Sequence, residues 1–210
     1  TTIPLKNFMP KLPNGVVGGK TASQKLNEIF YGALRYEDFR KFPKKFAAVA
    51  TDLESGEGVM IDKGSIATAI RESLSIPSVF APIRDGERLY VDGGIVRNLP
   101  VQDVKVLGAD YTIGVNVGDG FTKRDESKMN LIDVITDTTT IAGRQEVERQ
   151  IRMLDLYMKP DLTKFESYDF SKVKELIAAG EAVARANIDE IRKLSNPELY
   201  EKLEEKRREF

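Results

Sequence analysis

Compact apolar runs separated by turn residues mark the strands in the first part of the chain. Residues 46–53, FAAVATDL, have the length and continuity of a buried strand. The turn string ESGEG follows, and residues 58–62 then pair back as a second strand. Ser65 can cap a helix that ends before Pro77. The apolar positions of that helix fall on one face: Ile66, Ala69, Ile70 and Leu74.

A hairpin and a strand–helix–strand unit follow. Asp85-Gly86 lies between FAPIR and ERLYV, a pattern typical of a two-residue hairpin turn. Pro100 suits the first turn of a helix that ends at Gly108, and residues 110–118 form another apolar strand. Such an order favours parallel pairing, so we predict an α/β fold with a mostly parallel central sheet flanked by helices. The later part of the chain reads as helices over 131–153, 171–193 and 197–210, with an edge strand within 154–162.

The first 19 residues are rich in Pro, Gly and Asn and are predicted to be loop, with a helix from Thr21 to about Leu34. Four apolar residues interrupt this loop: Ile3, Leu5, Phe8 and Met9. They suit either packing against another part of the protein or an exposed lip that touches lipid, and we favour packing because exposed apolar patches are uncommon.

Composition narrows the chemistry. Cysteine and histidine are both absent, which excludes thiol catalysis, a Ser-His-Asp triad and His- or Cys-ligated zinc sites formed from this chain. Acid–base chemistry must therefore rest on carboxylates, lysine or tyrosine. A net charge of −1 gives no electrostatic case for nucleic acid. GVNVGDG at 114–120 is no dinucleotide fingerprint, so we expect no cofactor.

Asp92 stands out among the carboxylates. It follows the apolar strand end Leu89-Tyr90-Val91 and precedes two glycines, a position where a backbone or a ligand can approach closely. Local spacing alone leaves two roles open, a turn residue that bonds its own backbone and a working carboxylate. Asp52 also ends a strand and could line the pocket, but a turn role is favoured there. A carboxylate-only metal site on Asp52 and Asp92 lacks supporting ligand spacing, and we expect no metal.

Four short strings follow one another in order within residues 69–118: Ser73-Leu74-Ser75-Ile76-Pro77, Asp92-Gly93-Gly94, Asn98-Leu99-Pro100 and Gly108-Ala109-Asp110. In their order and spacing they closely resemble the C-terminal signature block of bacterial patatin-like phospholipases. AVATDLESGE at 48–57 and LPNGVVGGK at 12–20 extend the resemblance, which spans most of 12–180. It implies a phospholipase A-type serine esterase of lipid metabolism with a Ser–Asp dyad, in which Asp92 takes the proton of a serine on a Gly-x-Ser-x-Gly elbow. Gly93, Gly94, Ser75 and Asn98 would support the site or bind substrate.

Neither Gly-x-Ser-x-Gly nor the family's Gly-Gly-Gly-x-Arg/Lys-Gly string occurs in the chain, and GVVGG at 15–19 has Val17 at its centre. Ser73 and Ser75 are rejected as nucleophiles because they lack the flanking glycines of a strained elbow. We therefore expect residues 1–195 to be the C-terminal portion of a catalytic domain, incomplete without an upstream segment that carries the serine. Residues 196–210 read as a charged surface helix or linker.

The resemblance also implies the setting of the protein. A phospholipid at a membrane surface is the expected substrate and the upstream segment the expected partner. The expected source is bacterial, and the protein would be cytoplasmic or exported to the outer membrane. The alternative is a non-catalytic patatin-like module that binds lipid or another protein.

Overall fold

The fold is taken from a computed structural model of the 210-residue chain. It describes residues 5–6, 9–10, 19–77, 79–118, 143–165 and 170–209. The segment predicted to be loop contains a short antiparallel ribbon of β1 (Leu5–Lys6) and β2 (Met9–Pro10). Ile3 and Phe8, half of the apolar cluster found in the sequence, lie outside the described residues. Helix α1 (Gly19–Ile29) and the 3₁₀ turn Tyr31–Ala33 cover the predicted first helix.

A four-stranded sheet forms the centre of the described structure. Its strands are β3 (Ala48–Asp52), β4 (Gly58–Ile61), β5 (Ile83–Asp85) and β6 (Arg88–Asp92). They are arranged in the order β4-β3-β6-β5, and every neighbouring pair is antiparallel. The predicted hairpin is present: Asp85 pairs with Arg88, and Gly86 has φ +57°, a left-handed conformation that glycine adopts without strain.

The direction of this sheet differs from the mostly parallel arrangement predicted from the sequence. Both β3–β4 and β5–β6 are joined by tight turns, which can connect only antiparallel neighbours. Parallel pairing is present between β7 (Ile113–Val115) and β8 (Leu156–Met158), which lie far apart along the chain. The unit predicted from β6 to β7 does place a helix between two strands, but these strands belong to separate sheets. The α/β class itself is confirmed.

Helix α2 (Ile66–Ser73) packs beside β3 and carries much of the core. Ser65 caps it as predicted, because its hydroxyl oxygen accepts the Thr68 N–H at 3.4 Å. The core cluster under this helix consists of Phe39, Phe42, Ala48, Ile66 and Ala69. The position of α2 against the sheet brings the segment after the helix close to the end of β6.

The remaining helices lie around these sheets. Two short ones follow β6, α3 (Gly94–Arg97) and α4 (Val101–Val106). Residues 143–151 form α5, and 119–142, which include part of the predicted helix 131–153, lie outside the described residues. The last three are α6 (Val173–Ala186), α7 (Ile188–Arg192) and α8 (Pro197–Glu209). In the part of the chain that the structure describes, no helix combines the length and apolarity needed to cross a bilayer.

Candidate active site

Asp92 is the last residue of β6, opposite Ala50 of β3. Its backbone is fixed from two sides: its N–H donates to the Ser75 carbonyl at 3.1 Å, and its carbonyl accepts the Thr51 hydroxyl at 2.9 Å. Carboxylate Oδ1 accepts the Gly94 N–H at 2.6 Å, whereas Oδ2 makes no hydrogen bond to any described residue. Burial raises the pKa of the Asp92 carboxyl, and the Gly94 N–H opposes that rise. One carboxylate oxygen of Asp92 is thus held by the Gly94 N–H, and the other has no hydrogen bond among the described residues.

Gly93 allows the strand end to press against β3. A Cβ at this position would lie 2.0 Å from the Val49 carbonyl oxygen, a backbone atom that cannot move aside easily. The Gly93 N–H donates to the Ser73 carbonyl at 3.3 Å. Its φ of −66° is ordinary, so the glycine is required here for space and not for conformation. This close approach sets where the Asp92 carboxylate emerges from the sheet.

Gly94 and Asn98 lie beside the carboxylate. A Cβ at Gly94 would lie 2.9 Å from both Asp92 Oδ1 and Asn98 Oδ1. On its other side, Asn98 Nδ2 lies 2.3 Å from the position of a Cβ at Gly118, just past β7. The exposed Asn98 side chain therefore occupies a gap between two glycines, next to Asp92. The structure brings together the predicted residues Asp92, Gly93, Gly94 and Asn98.

Ser75 reaches the same site through its backbone. Its side chain is fully buried, and its hydroxyl donates to the Arg71 carbonyl at 2.8 Å while accepting the Arg71 Nη1–H at 2.6 Å. The carbonyl of Ser75 holds the Asp92 N–H and that of Ser73 holds the Gly93 N–H. Ser75 therefore makes the helix-end hydrogen bonds expected from the sequence, and its hydroxyl is closed off from any substrate.

Asp52 lies elsewhere on the sheet, opposite Tyr90. Its Oδ1 accepts the Glu54 N–H at 3.0 Å, which is the turn role expected of it. Among the residues that the structure describes, no group of three or more acidic side chains is arranged to hold a metal ion.

Two buried charges near the site were missed by sequence reasoning. Arg71 and Glu72 are each only 2% exposed, although both are charged residues of a short helix. Burial, and then the charge of Asp85, raises the pKa of Glu72 to about 7. The signal available in the sequence was an arginine four residues before a serine, which places both side chains on one helix face.

A cleft of about 470 Å³ lies between the start of β3 and helix α4, and none of Asp92, Gly94 and Asn98 lines it. Val49, whose carbonyl faces Gly93, contributes to its lining, and so does Pro100, two residues after Asn98. Most of the other lining side chains are apolar: Phe46, Ala47, Val104, Leu107 and Ala109. Lys45 provides a positive charge.

Comparison with known proteins finds the same family as the sequence motifs do. Residues 7–105 match the family model described as patatin-like phospholipase. An uncharacterised NTE family protein of Mycobacterium tuberculosis is 25% identical over 206 residues, which are 87% of this chain and 34% of that protein. An uncharacterised NTE family protein of Mycobacterium bovis is 42% identical over 77 residues, 37% of this chain and 21% of the relative.

A fungal protein extends this set: Lysophospholipase NTE1 of Debaryomyces hansenii is 25% identical over 181 residues, 73% of this chain and 11% of the relative. The chain thus spans about a third or less of the length of these relatives. The match to the family model covers both the helix that ends at Ser73 and the Asp92-Gly93-Gly94 site. The comparisons therefore support a patatin-like phospholipase domain over residues 7–105 of this chain.

Proposed function

We propose that the protein containing this chain is a lipid acyl hydrolase, a serine esterase of phospholipase A type in which Asp92 is the general base. The family match supports lipid ester hydrolysis, and one relative is named a lysophospholipase. The observation that carries the proposal is the setting of Asp92. Its backbone is fixed, one carboxylate oxygen is anchored, and burial raises its pKa.

The chemistry follows from this setting. A serine hydroxyl attacks the ester carbonyl carbon while Asp92 Oδ2 accepts the hydroxyl proton, and the proton then passes to the departing alcohol. The acyl group stays on the serine until water attacks its carbonyl carbon. Asp92 accepts a proton from that water and returns it to the serine oxygen as the acyl–serine bond breaks and the fatty acid leaves. A carboxylate with a raised pKa is a better base than a solvated one, because its pKa is nearer the operating pH. The serine comes from outside these 210 residues, which contain no Gly-x-Ser-x-Gly string.

The neighbouring residues take supporting roles in this proposal. Gly93 and the Ser75 carbonyl fix the position of Asp92, and Gly94 anchors Oδ1. Asn98 is exposed beside the carboxylate, where its amide can bind the polar part of a substrate. The cleft between β3 and α4 offers apolar lining for an acyl chain, and Lys45, whose Nζ also donates to the Leu107 carbonyl at 2.8 Å, offers a cation for a phosphate group.

The test is release of fatty acid from phosphatidylcholine and lysophosphatidylcholine in mixed micelles by the full-length protein. Asp92→Asn removes the base while keeping the shape, and we expect activity to fall by about 10²–10⁴-fold. Asp85→Asn is the matched control, because Asn-Gly suits the same hairpin turn and activity should be unchanged. An Asp92→Asn protein with wild-type activity would refute the role of Asp92. A wild-type protein that binds these micelles but releases no fatty acid would favour the non-catalytic module instead.

A further inference from the structure

Arg71 is a buried cation of helix α2, and its side chain contacts the segment that follows the helix. Its guanidinium donates from Nη1 to the Ser75 hydroxyl at 2.6 Å and from Nη2 to the Ala81 carbonyl at 3.4 Å. It also stacks on the Phe80 ring, with Cζ 4.6 Å from the ring centroid. Burial lowers the pKa of Arg71, but a guanidinium keeps its charge in proteins.

The surroundings of this charge are unusual. Within the described part of the chain no salt bridge to Arg71 is found, and its buried Nε has no hydrogen-bond partner. An unpaired buried charge costs free energy, so stability alone gives little reason for an arginine at this position. The fold even makes room for it: a Cβ at Gly19 would lie 2.3 Å from Nη2.

The contacts of Arg71 lead directly to the proposed base. Arg71 holds the Ser75 side chain, and the Ser75 carbonyl accepts the Asp92 N–H at 3.1 Å. Two residues earlier in the chain, the Ser73 carbonyl accepts the N–H of Gly93 at 3.3 Å. The second hydrogen bond of the guanidinium, to Ala81, fixes the orientation of the group. We propose that Arg71 is a positioning residue, which fixes the Ser73–Ser75 segment and through it the Asp92 carboxylate.

The effect of Arg71 is geometric. The pKa of Asp92 responds to burial and to the Gly94 N–H, and the charge of Arg71 is not among its causes. The planar fork of the guanidinium spans two oxygens and stacks on a ring, whereas a lysine ammonium is a point charge on a flexible stem. Arg71→Lys should therefore fail to restore what Arg71→Met removes.

The inference rests on the proposed function, and its test uses the full-length protein. We expect Arg71→Met to lower kcat for fatty acid release by about 10–100-fold, with KM within about twofold of wild type, because a misplacement of about 1 Å has effects of this size. Arg84→Met is the matched control, since Arg84 is an exposed arginine of β5, and its kcat should be unchanged.

A pH–rate profile separates positioning from simple loss of folded protein. Partial unfolding lowers the rate by the same factor at every pH and leaves the position of the acid limb unchanged. Loosening the Asp92 segment admits water, which lowers the raised pKa of the carboxyl, so the acid limb should move to lower pH. Glu72 titrates near pH 7 next to Arg71, so every profile is recorded in a Glu72→Gln background.

A double-mutant cycle tests the route through Ser75. Ser75→Ala removes the hydroxyl but keeps the carbonyl that holds Asp92, and we expect it to give the same shift of the acid limb. If Arg71 acts through Ser75, the double variant loses no more kcat than Arg71→Met alone. Should Arg71→Met not fold, Ser75→Ala and Arg71→Lys provide the same two readouts.

Three outcomes overturn the inference: an unmoved acid limb in the Arg71 and Ser75 variants, wild-type kcat in Arg71→Met, or losses that multiply in the double variant. These failures are distinct from failure of the proposed function. If Asp92→Asn stays fully active, the proposed function falls. If Asp92→Asn is inactive while Arg71→Met behaves as wild type, only the role of Arg71 falls.

Discussion

Replacing Glu72 with Gln should make the protein more stable at neutral and alkaline pH. Glu72 is 2% exposed, and its buried Oε1 has no hydrogen-bond partner in the described structure. Burial, and secondarily the Asp85 carboxylate, raises the pKa of Glu72 from 4.5 to about 7. The folded protein therefore holds this proton more tightly than the unfolded chain does.

The size of the effect follows from this shift. The difference between about 7 and 4.5 is about 2.5 pKa units, and at about 1.4 kcal/mol per unit it corresponds to about 3 kcal/mol. Below about pH 4.5 Glu72 is protonated in both the folded and the unfolded protein, so its burial as a carboxylate does not lower the free energy of unfolding. As the pH rises from about 4.5 to 7 the unfolded chain releases the proton first, so stability declines. Above about pH 7 the full penalty remains, and a neutral glutamine avoids it.

The assay is urea unfolding of wild-type and Glu72→Gln protein at pH 5 and pH 8. We expect the variant to gain up to about 3 kcal/mol over wild type on going from pH 5 to pH 8. The exposed Glu57→Gln is the matched control and should show no such gain. Asp92 and Asp103, whose pKa values are also raised by burial, contribute equally to both proteins, so the difference isolates Glu72. An equal loss of stability in wild type and Glu72→Gln would refute the reasoning.

Three further substitutions test the packing, each followed by urea unfolding at pH 7. Gly93→Ala places a Cβ 2.0 Å from a β3 carbonyl and should lower the free energy of unfolding by about 1–3 kcal/mol or more. Gly32→Ala, which has open space at its Cβ, should not lower it. Equal losses in the two variants would contradict the close approach. Gly180→Ala, inside α6 with nothing within 4 Å of the new Cβ, should stabilise by about 0.5–1 kcal/mol, and a loss of stability would argue against this helix. Arg97→Met breaks the largely buried 2.7 Å ion pair with Asp103 and should cost about 3 kcal/mol, while a neutral effect would mean that the pair is solvated in solution.

The predictions from sequence that the structure confirms best are those of local structure, such as turns and helix caps. The Asp85-Gly86 hairpin and the Ser65 cap are set by interactions within a few residues, so the sequence around them is sufficient. The sequence also predicts that Asp92 ends a strand beside Gly93. It does not predict why a glycine is required at position 93. The 2.0 Å approach to the Val49 carbonyl depends on the pairing of β3 with β6, which local sequence does not encode.

Non-local packing accounts for the differences. The helix between β6 and β7 predicts that these two strands pair in parallel. Instead, β6 pairs with β3 and with β5, and both pairings are antiparallel. The sequence assigns no role to Arg71, because the burial of this residue depends on the packing of α1 against α2. Such a residue is identified only once the partner element is in place.

Covalent trapping of the nucleophile tests the dyad most directly. A fluorophosphonate phosphonylates a serine, with loss of fluoride, only when a neighbouring base activates that serine, and peptide mass spectrometry then locates the adduct. For the full-length wild-type protein we predict a single rapid adduct on a serine outside these 210 residues, with labelling at least about 100-fold slower in Asp92→Asn. An adduct on Ser73 or Ser75, or equal labelling rates in wild-type and Asp92→Asn protein, would contradict Asp92 as the base of a Ser–Asp dyad.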